Sequence, residues 1–300
     1  MPEKILEKER HVVGQGARRL DAEAKVRGQA RYADDLSFPG MVYVKAIRSA
    51  KPHARIVSLD LSRVEAHPQV VCIVAPEDIP GENIVPIIYR DMPLLAGDVA
   101  RYVGEPVALI GATSKEAAEE AASLAKIIYQ ELPAVFDPLE AISPKAPQVA
   151  VPDATEEGNV FNHMVIRKGD VSEGFAQADV VVEGEYRVGY QEHAYLEPQG
   201  VIAVPEEGGI AIYGTMQCPY YVQSAVANVL GLPLSKVRVV QVATGGGFGG
   251  KEDVPSHVAA MAATCEGTSS FPPKPPPVAT CTTLTLDKGS PRTFATALCT

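Results

Sequence analysis

The chain has 300 residues, enough for about two domains at a typical size of ~150 residues each. Hydrophobic residues make up 46% of it and charged residues 21%, a balance that excludes general disorder. The net charge of −10 argues against nucleic acid or an anionic membrane surface as a partner.

The N-terminal residues and the cysteines give no sign of export. Residues 1–18 form a charged, polar leader without the apolar stretch of a secretory signal. No run of apolar residues is long enough to span a membrane. The five cysteines are widely spaced, without CxxC or iron–sulfur spacing, so we expect neither disulfides nor a cysteine metal cluster. These features predict a cytoplasmic protein.

Residues 19–138 alternate between patterns typical of strands and helices. Ser62 with Glu65, and Thr113 with Glu116, have the spacing of capping boxes and predict the starts of a short and a longer helix. Strands are predicted over 56–61, 70–75 and 106–112. The buried face of the longer helix is predicted to contain Ala117, Ala121, Leu124, Ala125 and Ile128.

Residues 139–179 contain several prolines and are predicted to be a linker, and a second unit follows over residues 180–263. This unit is predicted to be rich in strands, with one helix that begins near Pro219 and ends at Gly231. Its strands are predicted over 180–188, 201–204, 210–214 and 237–242. We expect the two units to be separate domains that share no sheet.

Residues 264–300 differ abruptly in composition from the rest of the chain. A helix predicted over about 254–263 is followed by the proline run PPKPPP at 272–277. Because proline lacks an N–H group and is excluded from helix interiors, we expect this tail to be largely irregular. The change resembles an aberrant end or a shifted reading frame.

The glycine-rich segment at 244–252 lies between a predicted strand and a predicted helix, where its backbone N–H groups could approach an anion. Gly245, Gly250 and Lys251 match a P-loop, although Glu252 stands where Ser or Thr would bind magnesium. With Gly247, two of these glycines also match a dinucleotide-binding turn, but no second strand and acidic residue follow at the required distance. A plain flexible turn is the third interpretation.

The octapeptide GGGFGGKE at 245–252 resembles the cofactor-contacting loop of the molybdenum hydroxylases, the family of xanthine dehydrogenase and aldehyde oxidase. RLDAEAKVRGQARYADDL at 19–36, HARI at 53–56 and VGEPVALIGA resemble its N-terminal α/β hammerhead domain. QEHAYLEPQG at 191–200 and GTMQCPYYVQSAVANVLGLP at 214–233 resemble the opening of its first molybdopterin-binding domain. The resemblance implies an α+β fold class, an α/β hammerhead domain followed by the start of a β-rich α+β domain.

The resemblance also implies roles for individual residues. Gln217 matches the glutamine that hydrogen-bonds the oxo ligand of molybdenum, although it could be a surface residue at a helix start. Glu252 matches a position that is acidic in purine-hydroxylating members and positions the substrate, although a helix dipole also favours a carboxylate there. Glu197 matches a structural motif, and we interpret His193 as a packing residue. The residues implied to bind the cofactor, none of them a direct metal ligand, are Gln217, Gly247, Phe248, Gly249 and Gly250; Phe248 could instead be a core aromatic.

The resemblance implies a molybdenum–pterin cofactor, either molybdopterin or its cytosine dinucleotide. The implied reaction hydroxylates a carbon of a purine, an N-heterocycle or an aldehyde with water. Electrons would then pass to partner subunits that carry [2Fe–2S] and FAD. Family members are more than twice as long, so we interpret the chain as a truncated large subunit of the separate-subunit bacterial type. The alternatives are a non-catalytic binding or assembly module and, third, a dinucleotide-binding dehydrogenase.

We predict that the 300-residue chain alone does not turn over substrate. No residue of it matches the family glutamate that acts as general base, and loss of such a base typically costs ~10²–10⁴-fold in rate. Incubation of the purified chain with hypoxanthine or an aldehyde and a dye acceptor measures this. Molybdenum-dependent hydroxylation above background would contradict the prediction.

Overall fold

The computed structural model describes residues 14–149, 158–267 and 278–282. The strands are β1 Met41–Arg48, β2 Ala54–Asp60, β3 Val70–Val74, β4 Val99–Ala100, β5 Pro106–Ala112, β6 Lys126–Glu131, β7 Gly200–Glu206, β8 Gly209–Gly214, β9 Val237–Gln241 and β10 Val278–Thr282. The α-helices are α1 Ala22–Val26, α2 Ser62–Glu65, α3 Lys115–Ser123, α4 Pro138–Ala141, α5 Val171–Gln177, α6 Pro219–Leu230 and α7 Val254–Gly267. No helix within these residues is long and apolar enough to cross a membrane.

The strands form two sheets. The larger sheet has seven strands in the order β3-β5-β1-β10-β7-β8-β9, and the smaller has the order β4-β2-β6. Neighbouring strands are antiparallel except for the pairs β1–β10 and β8–β9, which are parallel. Strands β7, β8 and β9 therefore run side by side, and the start of β7 lies at the same end of the sheet as the ends of β8 and β9.

The expectation that the two predicted units share no sheet is wrong. Strand β10 pairs with β1 on one side, where Val278 lies opposite Met41, and with β7 on the other, where Ala279 lies opposite Ala203. The inner edges of β1 and β7 would otherwise present backbone N–H and C=O groups without ladder partners, and a strand between them satisfies both.

The expectation of an irregular tail is corrected at two places. Helix α7 continues past Ala263 to Gly267, and residues 278–282 form β10. Both segments are held by neighbours that the local sequence does not reveal, since α7 packs against β7 and β10. The proline run at 272–277 lies outside the described residues.

Helix α7 and the larger sheet enclose a common hydrophobic core. Val44 and Leu109 from the first half of the chain and Ile212 and Val226 from the second belong to the same buried cluster. The residues of α7 from Val258 to Ala263 are fully buried in it. Small side chains in this stretch let the helix lie close to the sheet, so both halves of the chain stabilise one core.

Helix α6 agrees with its sequence prediction. Pro219 lies in its first turn, and Val222, Ala225, Val226 and Val229 are buried. Gly231 follows the helix with φ of 66°, a left-handed conformation that favours glycine.

The longer helix predicted after residue 112 is shorter in the structure. Helix α3 ends at Ser123, and Ile128 lies on strand β6 with a side chain that is 60% exposed. Pairing with β2 provides this segment with a ladder of backbone hydrogen bonds, which overrides its helical pattern. The cap is Ser114, whose side chain accepts a hydrogen bond from the N–H of Ala117, so the predicted capping box at Thr113 is also wrong.

Two further local predictions are wrong. Ser62 does not cap α2; its hydroxyl instead donates to the Asp60 carboxylate at 2.6 Å. The predicted strand over 180–188 is absent, and Val180 and Val182 are exposed. An alternating pattern forms a strand only where a neighbour completes the ladder, and no described strand pairs with this segment.

His257 joins α7 to the first half of the chain. Its Nε2 lies 3.1 Å from the carbonyl oxygens of both Pro93 and Leu94. Because carbonyls only accept hydrogen bonds, Nε2 carries the proton of the neutral ring. The ring is completely buried, and this burial, helped by the positive charge of Arg48, lowers the pKa of His257 to about 4.

We predict that His257 makes stability fall as the pH falls from about 6.5 towards about 4. In this window the unfolded chain binds a proton on His257 that the folded chain excludes, so the free energy of unfolding declines by up to ~1.4 kcal/mol per pH unit. His257→Gln keeps a donor but does not titrate. Urea unfolding of both proteins across this range should show a shallower slope for the variant; equal slopes would contradict the prediction.

Candidate active site

The candidate site lies at the end of the larger sheet where three segments meet. Residues 193–199 lead into β7, residues 215–217 leave β8, and the glycine-rich loop 243–253 leaves β9. Parallel pairing of β8 with β9 places Gly214 opposite Gln241, so the segments that follow these strands leave from the same edge. Motifs that are up to about fifty residues apart in the sequence are thereby in contact.

The loop has an unusual backbone. Gly246 and Gly249 each have φ of +98°, which is accessible mainly to glycine. Phe248 between them has φ of 54°, a left-handed conformation that costs a non-glycine residue roughly 1–2 kcal/mol. Its side chain is 75% exposed, so the alternative of a core aromatic is wrong.

The segment 193–199 explains several of the glycines. A Cβ atom on Gly245 would lie 2.5 Å from Cβ of Glu197, and one on Gly250 would lie 2.5 Å from Cε1 of Tyr195. A Cβ atom on Gly246 would approach Cβ of Tyr195 to 3.0 Å. The loop therefore wraps closely around the Tyr195 side chain, and only glycine allows its backbone to approach so near.

His193 and Gln199 complete this face. A Cβ atom on Gly250 would lie 3.0 Å from Nδ1 of His193, so the imidazole lies directly against the loop. Nε2 of Gln199 donates to the carbonyl of Gly250 at 2.9 Å and to the hydroxyl of Tyr195 at 3.0 Å. Every second residue from 193 to 199 thus contacts the loop, as alternate side chains of an extended segment do when they point to the same side.

Gln217 connects the loop to the end of β8. Its side-chain oxygen Oε1 accepts hydrogen bonds from the N–H groups of Gly249 at 3.0 Å and Lys251 at 3.3 Å. Its backbone N–H donates to the carbonyl of Lys251 at 2.7 Å. Since Oε1 is held by two donors, the orientation of the amide is defined, and Nε2 lies 3.4 Å from Oε1 of Glu252.

The exposed edge of the site carries negative charge. Glu252 and Asp253 are both exposed, whereas Cys218 next to Gln217 is half-buried. Desolvation, and then the charges of Glu252 and Asp253, raise the pKa of the Cys218 thiol. Cys218 is therefore a poor thiolate nucleophile.

A charged cluster lies beneath this edge. Nζ of Lys251 is 2.9 Å from Oε2 of Glu197 and 3.1 Å from the hydroxyl of Thr215, and it lies 4.8 Å from the centre of the Tyr195 ring. The Lys251 side chain is fully buried, and burial lowers its pKa against the opposing effect of Glu197. Thr215, Lys251 and Tyr195 were not singled out from the sequence for this role.

The structure weighs against two interpretations of the loop. A dinucleotide-binding turn requires a helix that returns to a parallel strand beside the first. Helix α7 is instead followed by β10 between β1 and β7, and β9 pairs only with β8 among the described strands. Two N–H groups of the loop also donate hydrogen bonds to the side chains of Glu197 and Gln217, so the loop is not a plain flexible turn.

Gln217, Glu252 and the loop residues, which the sequence predicts for the site, lie close together in the structure. Gln217, Phe248, Gly249 and Glu252 share the exposed edge, while Gly247 is buried against Gln217. No group of three or more His, Cys, Asp or Glu side chains in residues 14–149, 158–267 and 278–282 could hold a metal ion.

Two family models match the chain. Residues 27–133 match the α/β hammerhead domain of aldehyde oxidase and xanthine dehydrogenase, and residues 153–268 match the molybdopterin cofactor-binding domain. This order confirms the predicted fold class.

The relatives include two bacterial enzyme subunits. A probable xanthine dehydrogenase subunit from Bacillus subtilis is 39% identical over 237 residues, which are 79% of this chain and 31% of the relative. The nicotinate dehydrogenase large molybdopterin subunit of Eubacterium barkeri is 38% identical over 250 residues, which are 82% of this chain and 57% of the relative. The chain therefore spans less than two thirds of either relative.

Solved structures show the same likeness. Quinoline 2-oxidoreductase from Pseudomonas putida 86 superposes with a TM-score of 0.73 and 28% identity, covering 89% of this chain and 34% of that one. The aldehyde oxidoreductase from Desulfovibrio gigas gives a TM-score of 0.74 with 26% identity, covering 87% and 29% of the two chains.

We predict that Gly250→Ala destabilises the protein more than Gly247→Ala, although both introduce a close contact. The new Cβ at 250 meets the Tyr195 ring, which Gln199 and Lys251 hold in place. At 247 it meets Oε1 of Gln217, whose exposed side chain can move aside at the cost of its two hydrogen bonds with the loop. We expect losses of about 1–3 kcal/mol for Gly250→Ala and less for Gly247→Ala, measured by urea unfolding.

Gly97→Ala is the control, because a Cβ there meets nothing within 4 Å. A smaller loss for Gly250→Ala than for Gly247→Ala would contradict the packing of the loop against Tyr195.

Proposed function

Because this chain belongs to the molybdenum hydroxylase family of xanthine dehydrogenases and aldehyde oxidases, we propose that it is part of a large subunit that hydroxylates a carbon of its substrate with water. The substrate class is a purine, another N-heterocycle or an aldehyde. Relatives named for xanthine, nicotinate, quinoline and aldehydes support this range. Electrons leave through partner subunits that carry [2Fe–2S] and FAD.

The orientation of the Gln217 amide is the observation that carries the proposal. Its Oε1 is occupied by the N–H groups of Gly249 and Lys251, so Nε2 is the donor at the exposed edge. One of the two N–H groups of Nε2 donates to Oε1 of Glu252 at 3.4 Å. An uncharged N–H donor suits an oxo acceptor on a metal without adding charge to the site. The donor end of Gln217 therefore fits a molybdenum–pterin cofactor, and the backbone at Gly247, Phe248, Gly249 and Gly250 is proposed to lie against the same group.

When bound, this cofactor supplies two-electron redox chemistry and a metal centre that activates water. The chain contributes the groups around it. Nε2 of Gln217 donates a hydrogen bond, and the strained backbone at Phe248 presents an exposed turn of the loop. Such preorganised donors cost no rearrangement when the ligand arrives.

Glu252 is proposed to position the substrate. Its carboxylate is exposed and lies within reach of the Gln217 amide, while its backbone N–H donates to the carbonyl of Gly249 at 3.2 Å. A carboxylate in this place accepts hydrogen bonds from the ring N–H groups of a heterocycle. Glu197 also belongs to the site, but its Oε2 is already occupied by three donors.

We predict that Gln217→Met lowers the molybdenum content of the chain purified from cells that make the pterin cofactor. The change keeps the length of the side chain but removes the amide donor, together with the oxygen Oε1 that binds the N–H groups of Gly249 and Lys251. Molybdenum by mass spectrometry and pterin by fluorescence after oxidation, each per mole of chain, give the readout. We expect a loss of roughly tenfold, the size of one lost hydrogen bond to a charged group.

Gln177→Met is the matched control. Nε2 of Gln177 also donates to a glutamate, Glu173, but on the exposed helix α5 away from the site. Equal molybdenum content in all three proteins would contradict the role of Gln217. A wild-type chain without molybdenum or pterin would favour the non-catalytic binding or assembly module.

A further inference from the structure

The ion pair between the buried Lys251 and the partly buried Glu197 has no role in the proposed chemistry, yet it contacts the glycine-rich loop at Gly245 and at Lys251. We propose that Lys251, held by Glu197 and Thr215, is a positioning residue that sets the conformation of the loop and the orientation of the Gln217 amide. The significance of that orientation for a cofactor rests on the proposed function, whereas the positioning itself does not.

A single carboxylate oxygen accepts hydrogen bonds from both ends of the loop stretch 245–251. Oε2 of Glu197 accepts from the N–H of Gly245 at 2.6 Å, from the hydroxyl of Thr215 at 3.0 Å and from Nζ of Lys251 at 2.9 Å. The backbone N–H of Glu197 also donates to the carbonyl of Gly245 at 3.2 Å. The first and last residues of the stretch 245–251 are thus tied to one atom, and the five residues between them form a closed loop.

Lys251 transmits this constraint to Gln217. While its side chain binds Glu197, its backbone N–H donates to Oε1 of Gln217 and its carbonyl accepts from the N–H of Gln217. Thr215, two residues before Gln217, accepts a hydrogen bond from Nζ and donates one to Glu197. A displacement of the Lys251 side chain would therefore move the residue that holds the Gln217 amide.

The two charged side chains of the pair differ in their exposure to solvent. The Lys251 side chain is fully buried, whereas that of Glu197 is 17% exposed. Removal of the lysine charge leaves Glu197 with two neutral donors and some solvent, but removal of the glutamate charge leaves a buried cation without its counterion. Lys251→Met is therefore the milder way to open the pair, and Glu197→Gln should disturb the fold more.

The experiment measures backbone amide hydrogen exchange and the NMR signals of the Gln217 side-chain amide in the full 300-residue chain without cofactor. In Lys251→Met we expect the amides of Gly245 and Gly249 to exchange on the order of tenfold faster, while those of β7 and β8 change by less than about twofold. The Gln217 side-chain signals should shift. A merely stabilising role would change exchange in the loop and the sheet alike and leave those signals in place.

Arg238→Met is the matched control, because it opens the exposed ion pair of Arg238 with Glu206 on the same sheet. It should leave the loop amides and the Gln217 signals unchanged. Thr215→Val removes the hydroxyl between the two charges at nearly constant volume and decides the question if Lys251→Met does not fold. Equal exchange in loop and sheet, or unchanged Gln217 signals, would overturn the proposal.

Failure of the positioning role and failure of the proposed function give different experimental results. Exchange and side-chain signals are recorded without cofactor, so a chain that binds no molybdenum would leave the positioning role standing. Conversely, normal molybdenum content in Lys251→Met together with an unchanged loop would overturn the positioning role alone.

Discussion

The candidate site depends on the bonds that converge on one oxygen atom, Oε2 of Glu197. It holds an N–H group at the start of the glycine-rich loop and the ammonium group of Lys251 at its end. Because the lysine is fully buried, its charge is stable only with this counterion beside it. These bonds close the loop, and the closed loop sets the positions of the Gln217 amide and the exposed Glu252.

The sheet makes the closure possible. The segment with Glu197 precedes β7, the segment with Thr215 and Gln217 follows β8, and the loop follows β9. Antiparallel pairing of β7 with β8 and parallel pairing of β8 with β9 bring all three to one edge. Helix α7 then continues directly from the loop into the common core, so the loop is supported at both ends by regular structure.

The glycines of the loop are required by its packing against other parts of the protein, whether or not a ligand binds. Gly245, Gly246 and Gly250 are required by the close approach of Glu197 and Tyr195, and Gly247 by that of Gln217. Glycine content alone is therefore weak evidence for anion or cofactor binding. The proposal of a molybdenum hydroxylase subunit instead depends on the family and on the defined direction of the Gln217 amide.

The sequence by itself determined those features that depend on neighbours in the chain or on whole motifs. Helix α6, with Pro219 at its start and Gly231 after its end, and strands β3, β5, β7, β8 and β9 follow from local patterns, and the family follows from motifs such as GGGFGGKE. The tertiary structure decided what depends on distant partners. Residues 126–131 are a strand because β2 pairs with them, and residues 180–188 are not one because no described strand does. Strand β10 pairs with β1 and β7, so strands of the two predicted units lie in one sheet. Lys251 and Glu197 are 54 residues apart, and their pairing is invisible in the sequence because a buried ion pair is defined by distance in space, which only the folded chain determines.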